Sequence, residues 1–281
     1  MITPFSKIPE NIFGSSQMWL KDESENPYGT IKDRRNNFVA QEALRHFVNK
    51  LVLITSGNNG YSLAKICKKS SIKIYSVVDT RIEENIYKTL NEVCEKVIKI
   101  DLQEKIYHPE DLLGLVREYP TDVIWDVTNG YEQGYWAMFQ EIFGSVDPDY
   151  IVVPLGSGGI YTACINFIEH RGSKCKVIGI GAQSQTDSMA DKLTTSWTPY
   201  HRLIENKQAL GHAVFRLTEA EIRQVYKNFN HLCNMEPSSA TVFAAPQLYD
   251  FKSSDVVVFV NTGRVNEFNM ILTHKPQDWQ K

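Results

Sequence analysis

The sequence predicts an α/β protein in which a parallel sheet is covered by helices on both faces. Three observations point there: short continuous apolar runs rich in β-branched residues recur along the chain, stretches with helical apolar spacing separate them, and glycine-bearing loops follow several of the runs. A continuous apolar run suits a strand buried on both faces, whereas a sheet with one wet face alternates apolar and polar residues.

In chain order, Asn26, Pro27 and Gly29 make a turn, and residues 31–44 follow as a helix with Phe38, Val39, Ala43 and Leu44 roughly along one face. The apolar runs LVLI, KIYSVV, VIKI, VIW, YIVV, KVIGI and VVVFV predict strands at 51–54, 73–78, 97–100, 123–125, 150–153, 176–180 and 256–260. Helical spacing predicts helices at 62–68, 81–94, 109–118, 133–143, 160–170, 218–228 and 239–248. Asn129-Gly130 and residues 147–149 are the strongest turn punctuation between the two halves.

With 281 residues, 42% hydrophobic and 11% aromatic, the chain can bury a sizeable core as one large domain or two modest ones. A net charge of -3 argues against a nucleic-acid or anionic-membrane partner. The first twenty residues lack a basic and apolar leader, and no run has the length of a membrane span, so a cytoplasmic protein is expected. Five cysteines without a CxxC pair suggest reduced packing residues, and seven scattered histidines without HExxH suggest no metal site. The five tryptophans lack an accompanying basic stripe and read as packing residues.

Lys32 stands in the first turn of the 31–44 helix. The positive end of the helix and the neighbouring Arg34 and Arg35 disfavour its ammonium form wherever the side chain is partly desolvated, and a neutral amine is the form that attacks carbonyls. A solvated lysine on a basic helix start is the alternative for Lys32 taken alone.

Three loops follow strands, where open parallel sheets bind ligands. Thr55-Ser56-Gly57-Asn58-Asn59-Gly60 offers backbone donors, two hydroxyls and two amides to a polar or anionic ligand, or is a plain turn. Gly156-Ser157-Gly158-Gly159 precedes a helix, so its N–H groups can close around a phosphate, a tight packing turn being the alternative. It is neither a Walker A loop nor a dinucleotide fingerprint, because Gly-Lys-Ser/Thr is absent and Tyr161 occupies the third glycine's place, which disfavours a nucleotide-binding Rossmann protein. In Asn261-Thr262-Gly263, Thr262 can present a hydroxyl at the end of the last strand, though taken alone the loop reads first as a plain strand-ending turn.

In that order these features resemble the tryptophan synthase β-like superfamily of pyridoxal phosphate enzymes, fold type II, over nearly the whole chain. Thr3-Pro4-Phe5 is similar to that family's opening, and Lys21-Asp22-Glu23 with NPYGTIKDR is similar to the threonine synthase signature. Gly134-Tyr135 before Glu141-Ile142, PDYIVVPLGSGG, and Glu236-Pro237-Ser238-Ser239-Ala240 followed by VVVFVNTG resemble threonine synthase-like members, while TSGNNG is closer to cysteine synthases. Tyr28, Thr30, Ile31 and Arg35 depart from the pattern, so neither specific activity follows from it.

The resemblance implies two open, mostly parallel sheets flanked by helices. A smaller N-terminal domain would span 36–130, a larger cofactor-binding domain would comprise 1–35 and 131–281, and the active site would lie in the crevice between them. It implies that Lys32 forms the Schiff base with pyridoxal 5'-phosphate, that Asn58 bonds the cofactor's 3'-oxygen, and that Gly156, Ser157, Gly158 and Gly159 hold the phosphate. Thr262 would face the pyridine nitrogen, and Thr55, Ser56 and Asn59 would bind a substrate carboxylate. The expected chemistry is threonine synthase-like: α-proton abstraction by Lys32 from a small amino acid or its O-activated form, then β- or γ-elimination or replacement. Cysteine synthase-like β-replacement, serine/threonine dehydratase-type deamination and a noncatalytic cofactor- or ligand-binding relative are the alternatives, and a homodimer is the expected assembly.

Overall fold

The computed structural model describes residues 2–14, 17–184, 188–194 and 198–265. They fall into two compact units, Met1–Ile31 with Tyr135–Val265, and Lys32–Gly134. The chain opens with β1 (Phe5–Lys7), α1 (Glu10–Phe13) and β2 (Met18–Asp22), then a 3-10 turn at Glu23–Glu25. Next come α2 (Lys32–Arg45), β3 (Lys50–Ile54), α3 (Asn58–Cys67), β4 (Lys73–Asp79), α4 (Glu84–Val93), β5 (Lys96–Ile100), α5 (Pro109–Val116) and β6 (Ile124–Asp126). After a 3-10 turn at Glu132–Tyr135 follow α6 (Trp136–Ser145), β7 (Tyr150–Pro154), α7 (Gly159–Arg171), β8 (Lys176–Ala182), α8 (His201–Gln208), β9 (Ala213–Leu217) and α9 (Glu219–Phe229). The last elements are α10 (Pro237–Ala240), α11 (Ala245–Leu248) and β10 (Val257–Asn261).

The unit holding both ends of this order has a six-stranded sheet, β1-β2-β10-β7-β8-β9, parallel except for the antiparallel edge strand β1. Successive side chains of a strand point to opposite faces, so Ile151 and Val153 of β7 and Val258 and Val260 of β10 join one core with α6 and α7. Val152, Val257 and Phe259 join the other core with α9 through α11. Both faces are thereby dry, which is why these strands read as unbroken apolar runs.

The Lys32–Gly134 unit has a four-stranded parallel sheet, β5-β4-β3-β6. Leu51 and Leu53 of β3 pack with α2 and α3, and Val52 packs on the opposite face with Tyr75, Val77 and Leu112. Among the described residues no helix is long and apolar enough to cross a membrane.

All seven expected strands form, each end within two residues of its expected place. β1, β2 and β9 were not expected: β1 and β9 are edge strands without a continuous apolar run, and β2 ends on the polar Lys21 and Asp22. The helix expected at 133–143 opens as a 3-10 turn, and the one expected at 239–248 is divided by a 3-10 segment, Thr241–Ala244. The buried face of α2 also differs from the expected one. Val39 and Ala43 are buried, but Leu44 is 51% exposed, and the N-terminal half of the face consists of Asp33, Arg35 and Asn36. Hydrogen bonds hold that half in place, where apolar spacing carries no signal.

Candidate functional site

In the first unit, β7 leads through a short loop into α7. The N–H of Leu155 donates to the carbonyl of Ile180 at 2.8 Å, holding this loop to the neighbouring strand. Gly158 is the N-cap, at φ 94°, a left-handed conformation that favours glycine, and no side chain caps the helix. Among the described residues no side chain meets the first N–H groups of α7, which stand at the positive end of its dipole, where an anion is favoured.

The three glycines have different reasons to be there. A Cβ on Gly156 would lie 2.6 Å from the carbonyl oxygen of Lys192, and one on Gly158 would lie 2.8 Å from Ile204 Cδ1. A Cβ on Gly159 would meet nothing within 4 Å. Gly156 and Gly158 thus admit close packing, whereas Gly159 is not demanded by any contact among the described residues. Thr198 adds to the packing by donating its hydroxyl to the Ser157 carbonyl.

Thr262 follows β10. Its carbonyl accepts the N–H of Ile31 at 2.8 Å, and its own N–H donates to Ser239 Oγ at 3.2 Å. The Ser239 and Thr262 hydroxyl oxygens are 2.8 Å apart, Ser239 being fully buried and Thr262 8% exposed. Asn261 steadies the strand end by donating from Nδ2 to Asp22 Oδ1 at 2.8 Å and to the Asn234 carbonyl at 3.1 Å. Burial pushes the nearby Cys233 thiol up to about 12. Ser239 was not singled out by the sequence, although it stands inside a quoted motif, because a serine in a helix-start segment carries no chemical signature of its own.

The unit also buries a charge. Lys21, 1% exposed, donates from Nζ to Glu141 Oε2 at 2.5 Å and to the Thr3 carbonyl at 2.8 Å, with Glu23 Oε1 at 3.9 Å. Glu23 in turn accepts from Asn26 Nδ2 at 2.8 Å. Glu141 thus belongs to an ion pair within this unit.

In the second unit, Lys32 is the first residue of α2. Behind it, buried Asp33 accepts from Ser62 Oγ at 2.6 Å, and Asn36 Nδ2 donates to Ser62 Oγ and to the Asn59 carbonyl, both at 3.0 Å. This network ties the lysine's helix to the start of α3. Arg35, 4% exposed, turns away into the loop after β6, where it donates to the carbonyls of Val127 at 2.5 Å and Gly130 at 3.0 Å and lies over the Tyr131 ring.

The loop after β3 is held from inside. Thr55 Oγ1 accepts the N–H of Gly57 at 3.0 Å and of Gly60 at 3.1 Å. Gly57 has φ 133°, and a Cβ on Gly60 would lie 2.6 Å from Ser76 Oγ. Thr55 and Asn58 are buried, Ser56 is exposed, and Asn59 Oδ1 is buried without a hydrogen-bond partner among the described residues.

These observations fit a phosphorylated cofactor with an aldehyde carbon. The α7 terminus is uncapped and Gly159 faces open space, and one turn further along, Thr162 Oγ1 is buried with no hydrogen-bond partner among the described residues. Two mostly parallel sheets flanked by helices are the architecture of fold type II enzymes. The chain belongs to the pyridoxal-phosphate dependent enzyme family, whose sequence profile matches residues 2–263. Its superfamily is the tryptophan synthase β-like one and its cofactor is pyridoxal 5'-phosphate.

Solved structures share the fold. An O-acetylserine-dependent cystathionine beta-synthase from Helicobacter pylori superimposes with a TM-score of 0.77 at 17% identity, covering 94% of this chain and 93% of its own. A serine racemase from Dictyostelium discoideum gives 0.75 at 20% identity, covering 94% and 92%. The processed form of threonine deaminase isoform 2 from Solanum lycopersicum gives 0.77 at 13% identity, covering 96% and 86%.

Proposed function

We propose that this enzyme acts on a small amino acid or its O-activated form, removing the α-proton and then eliminating or replacing a group on the β- or γ-carbon, in the manner of threonine synthase. The observation that carries this reading is the partner of Thr262, which is another hydroxyl. A neutral hydroxyl facing the ring nitrogen, unlike a carboxylate, need not keep that nitrogen protonated, and a moderated electron sink favours elimination. When bound, pyridoxal phosphate supplies an electron-withdrawing ring conjugated to the amino acid's α-carbon.

The remaining roles belong to the chain. Lys32 carries the cofactor through its amine and, once released by the incoming amino acid, takes the α-proton. Asn58 donates to the 3'-oxygen, and the N–H groups of Gly156, Ser157, Gly158 and Gly159 hold the phosphate. Ser56 and Asn59 bind the substrate carboxylate. Thr55 serves the same step by shaping the loop through its bonds to Gly57 and Gly60. A homodimer in the cytoplasm is the proposed working form, and light scattering of the purified protein tests the assembly.

The discriminating experiment incubates cofactor-loaded protein with serine, O-acetylserine, O-phosphoserine, threonine and O-phosphohomoserine, with and without a thiol. Threonine formed from O-phosphohomoserine supports the reading. Thiol addition products from O-acetylserine point instead to cysteine synthase-like replacement, and keto acid with ammonia to a dehydratase. Loss of optical activity without net conversion would mark a racemase, an activity named for several structures of this fold. Bound cofactor without turnover on any member of the panel would sink the proposal in favour of a binding protein.

A further inference from the structure

We propose that Ser239 is a positioning residue for Thr262, directing that residue's hydroxyl proton outward so that the strand end presents a donor, and not an acceptor, to the cofactor's ring nitrogen. The inference rests on the reading above that Thr262 faces that nitrogen.

The argument is a count of protons and lone pairs. A serine hydroxyl has one proton and two acceptor positions. One acceptor position of Ser239 is taken by the Thr262 N–H at 3.2 Å. Its single proton then has two acceptors within reach, Thr262 Oγ1 at 2.8 Å and the Gly263 carbonyl at 3.3 Å. If Ser239 donated to Gly263, Thr262 would spend its own proton on Ser239 and show only lone pairs, which calls for a protonated ring nitrogen.

Two distances decide against that arrangement. The hydroxyl pair is the shorter contact, within the usual range for O–H···O bonds. The Gly263 carbonyl already accepts the Glu236 N–H at 2.9 Å and lies at 3.3 Å from Ser239, the longer and weaker of the two contacts for its proton. The shorter contact assigns the Ser239 proton to Thr262, and the Thr262 proton then has no acceptor among the described residues and can point at a ligand. Donation into Thr262 also polarises its hydroxyl and strengthens it as a donor. The described titratable and charged groups around this strand end include Glu236 beside Gly263, Asp22 bonded to Asn261, the Cys233 thiol, and Arg264 with Glu25.

The test loads the full-length protein with pyridoxal phosphate isotopically labelled at the ring nitrogen and reads the NMR shift of that nitrogen, independently of turnover. The wild type is expected at a hydrogen-bonded, unprotonated position at neutral pH. Thr262→Val removes the donor and is expected to move the signal to the position of unbonded free base. Ser239→Ala is expected to move it part of the way and to weaken cofactor binding about fivefold, the loss of roughly one hydrogen bond, and the double variant is expected to match Thr262→Val. A pyridinium shift in the wild type, or a wild-type shift in Ser239→Ala, overturns the assignment. A signal indifferent to Thr262→Val overturns the underlying placement of Thr262 and Ser239's role with it. Should Ser239→Ala fail to fold, Ser239→Cys, a weaker donor of similar size, reads the same signal.

Discussion

The N–H of Ile31 donates to the carbonyl of Thr262 at 2.8 Å, across 231 positions of sequence. Ile31 is itself buried, and the next residue in the chain is Lys32. The end of the turn at Thr30 and Ile31 is thus anchored to the end of β10, Gly263 adding a bridge to Thr30.

Lys32→Ala is expected to abolish the yellow absorbance of the loaded protein and to reduce turnover at least a thousandfold, consistent with loss of an activated nucleophile and general base together (about 10³ or more). Far-UV circular dichroism of the variant should remain that of a folded α/β protein. Spectroscopy after cofactor addition, paired with circular dichroism, checks both halves.

The glycine loop separates packing from binding. Gly159→Ala meets open space and is expected to fold normally while binding the cofactor more weakly. Gly156→Ala would press a methyl to 2.6 Å from the Lys192 carbonyl and is expected to lower stability by about 1–3 kcal/mol. Thermal unfolding of both apo proteins beside cofactor titrations tests the contrast; equal behaviour of the two variants would contradict it.

Lys21→Met is expected to destabilise the protein by about 3 kcal/mol, because it leaves Glu23 and Glu141 without the buried cation they share. Urea unfolding measures the change. A Lys21→Met, Glu23→Gln, Glu141→Gln triple variant should recover part of it by removing the stranded charges.

His212 supplies a pH dependence. Burial, with Lys176 and Lys207 adding to it, pushes its imidazole from an ordinary 6.5 down to about 4, and its Nδ1 accepts the Val177 N–H at 3.0 Å. The folded state therefore keeps it neutral where the unfolded chain takes up a proton. Stability is fully present above about 6.5 and is lost as pH falls towards 4, with a slope approaching about 1.4 kcal/mol per pH unit from this group. Denaturant midpoints across that window should flatten in His212→Asn.

Much of this was legible because parallel strands buried on both faces leave continuous apolar runs, and because glycine, proline and asparagine mark loops through their backbone preferences. Trp19, Leu20 and Lys21 in β2 illustrate the opposite case: a strand whose end buries an ammonium shows no run. The polar half of α2 escaped for the same reason, since Asp33 and Asn36 are buried by partners, Ser62 and the Asn59 carbonyl, that adjoin them only in the folded chain.

The sequence by itself determined the α/β class, the order of the strands along the chain, and the motif set headed by Lys32, because backbone propensity and apolar periodicity are local properties. Only the tertiary structure decided which glycines are demanded by close packing, where Arg35 spends its donors, and that Ser239 stands against Thr262. Hydrogen-bond direction and steric clearance depend on atoms brought together from distant positions, and no local pattern encodes them.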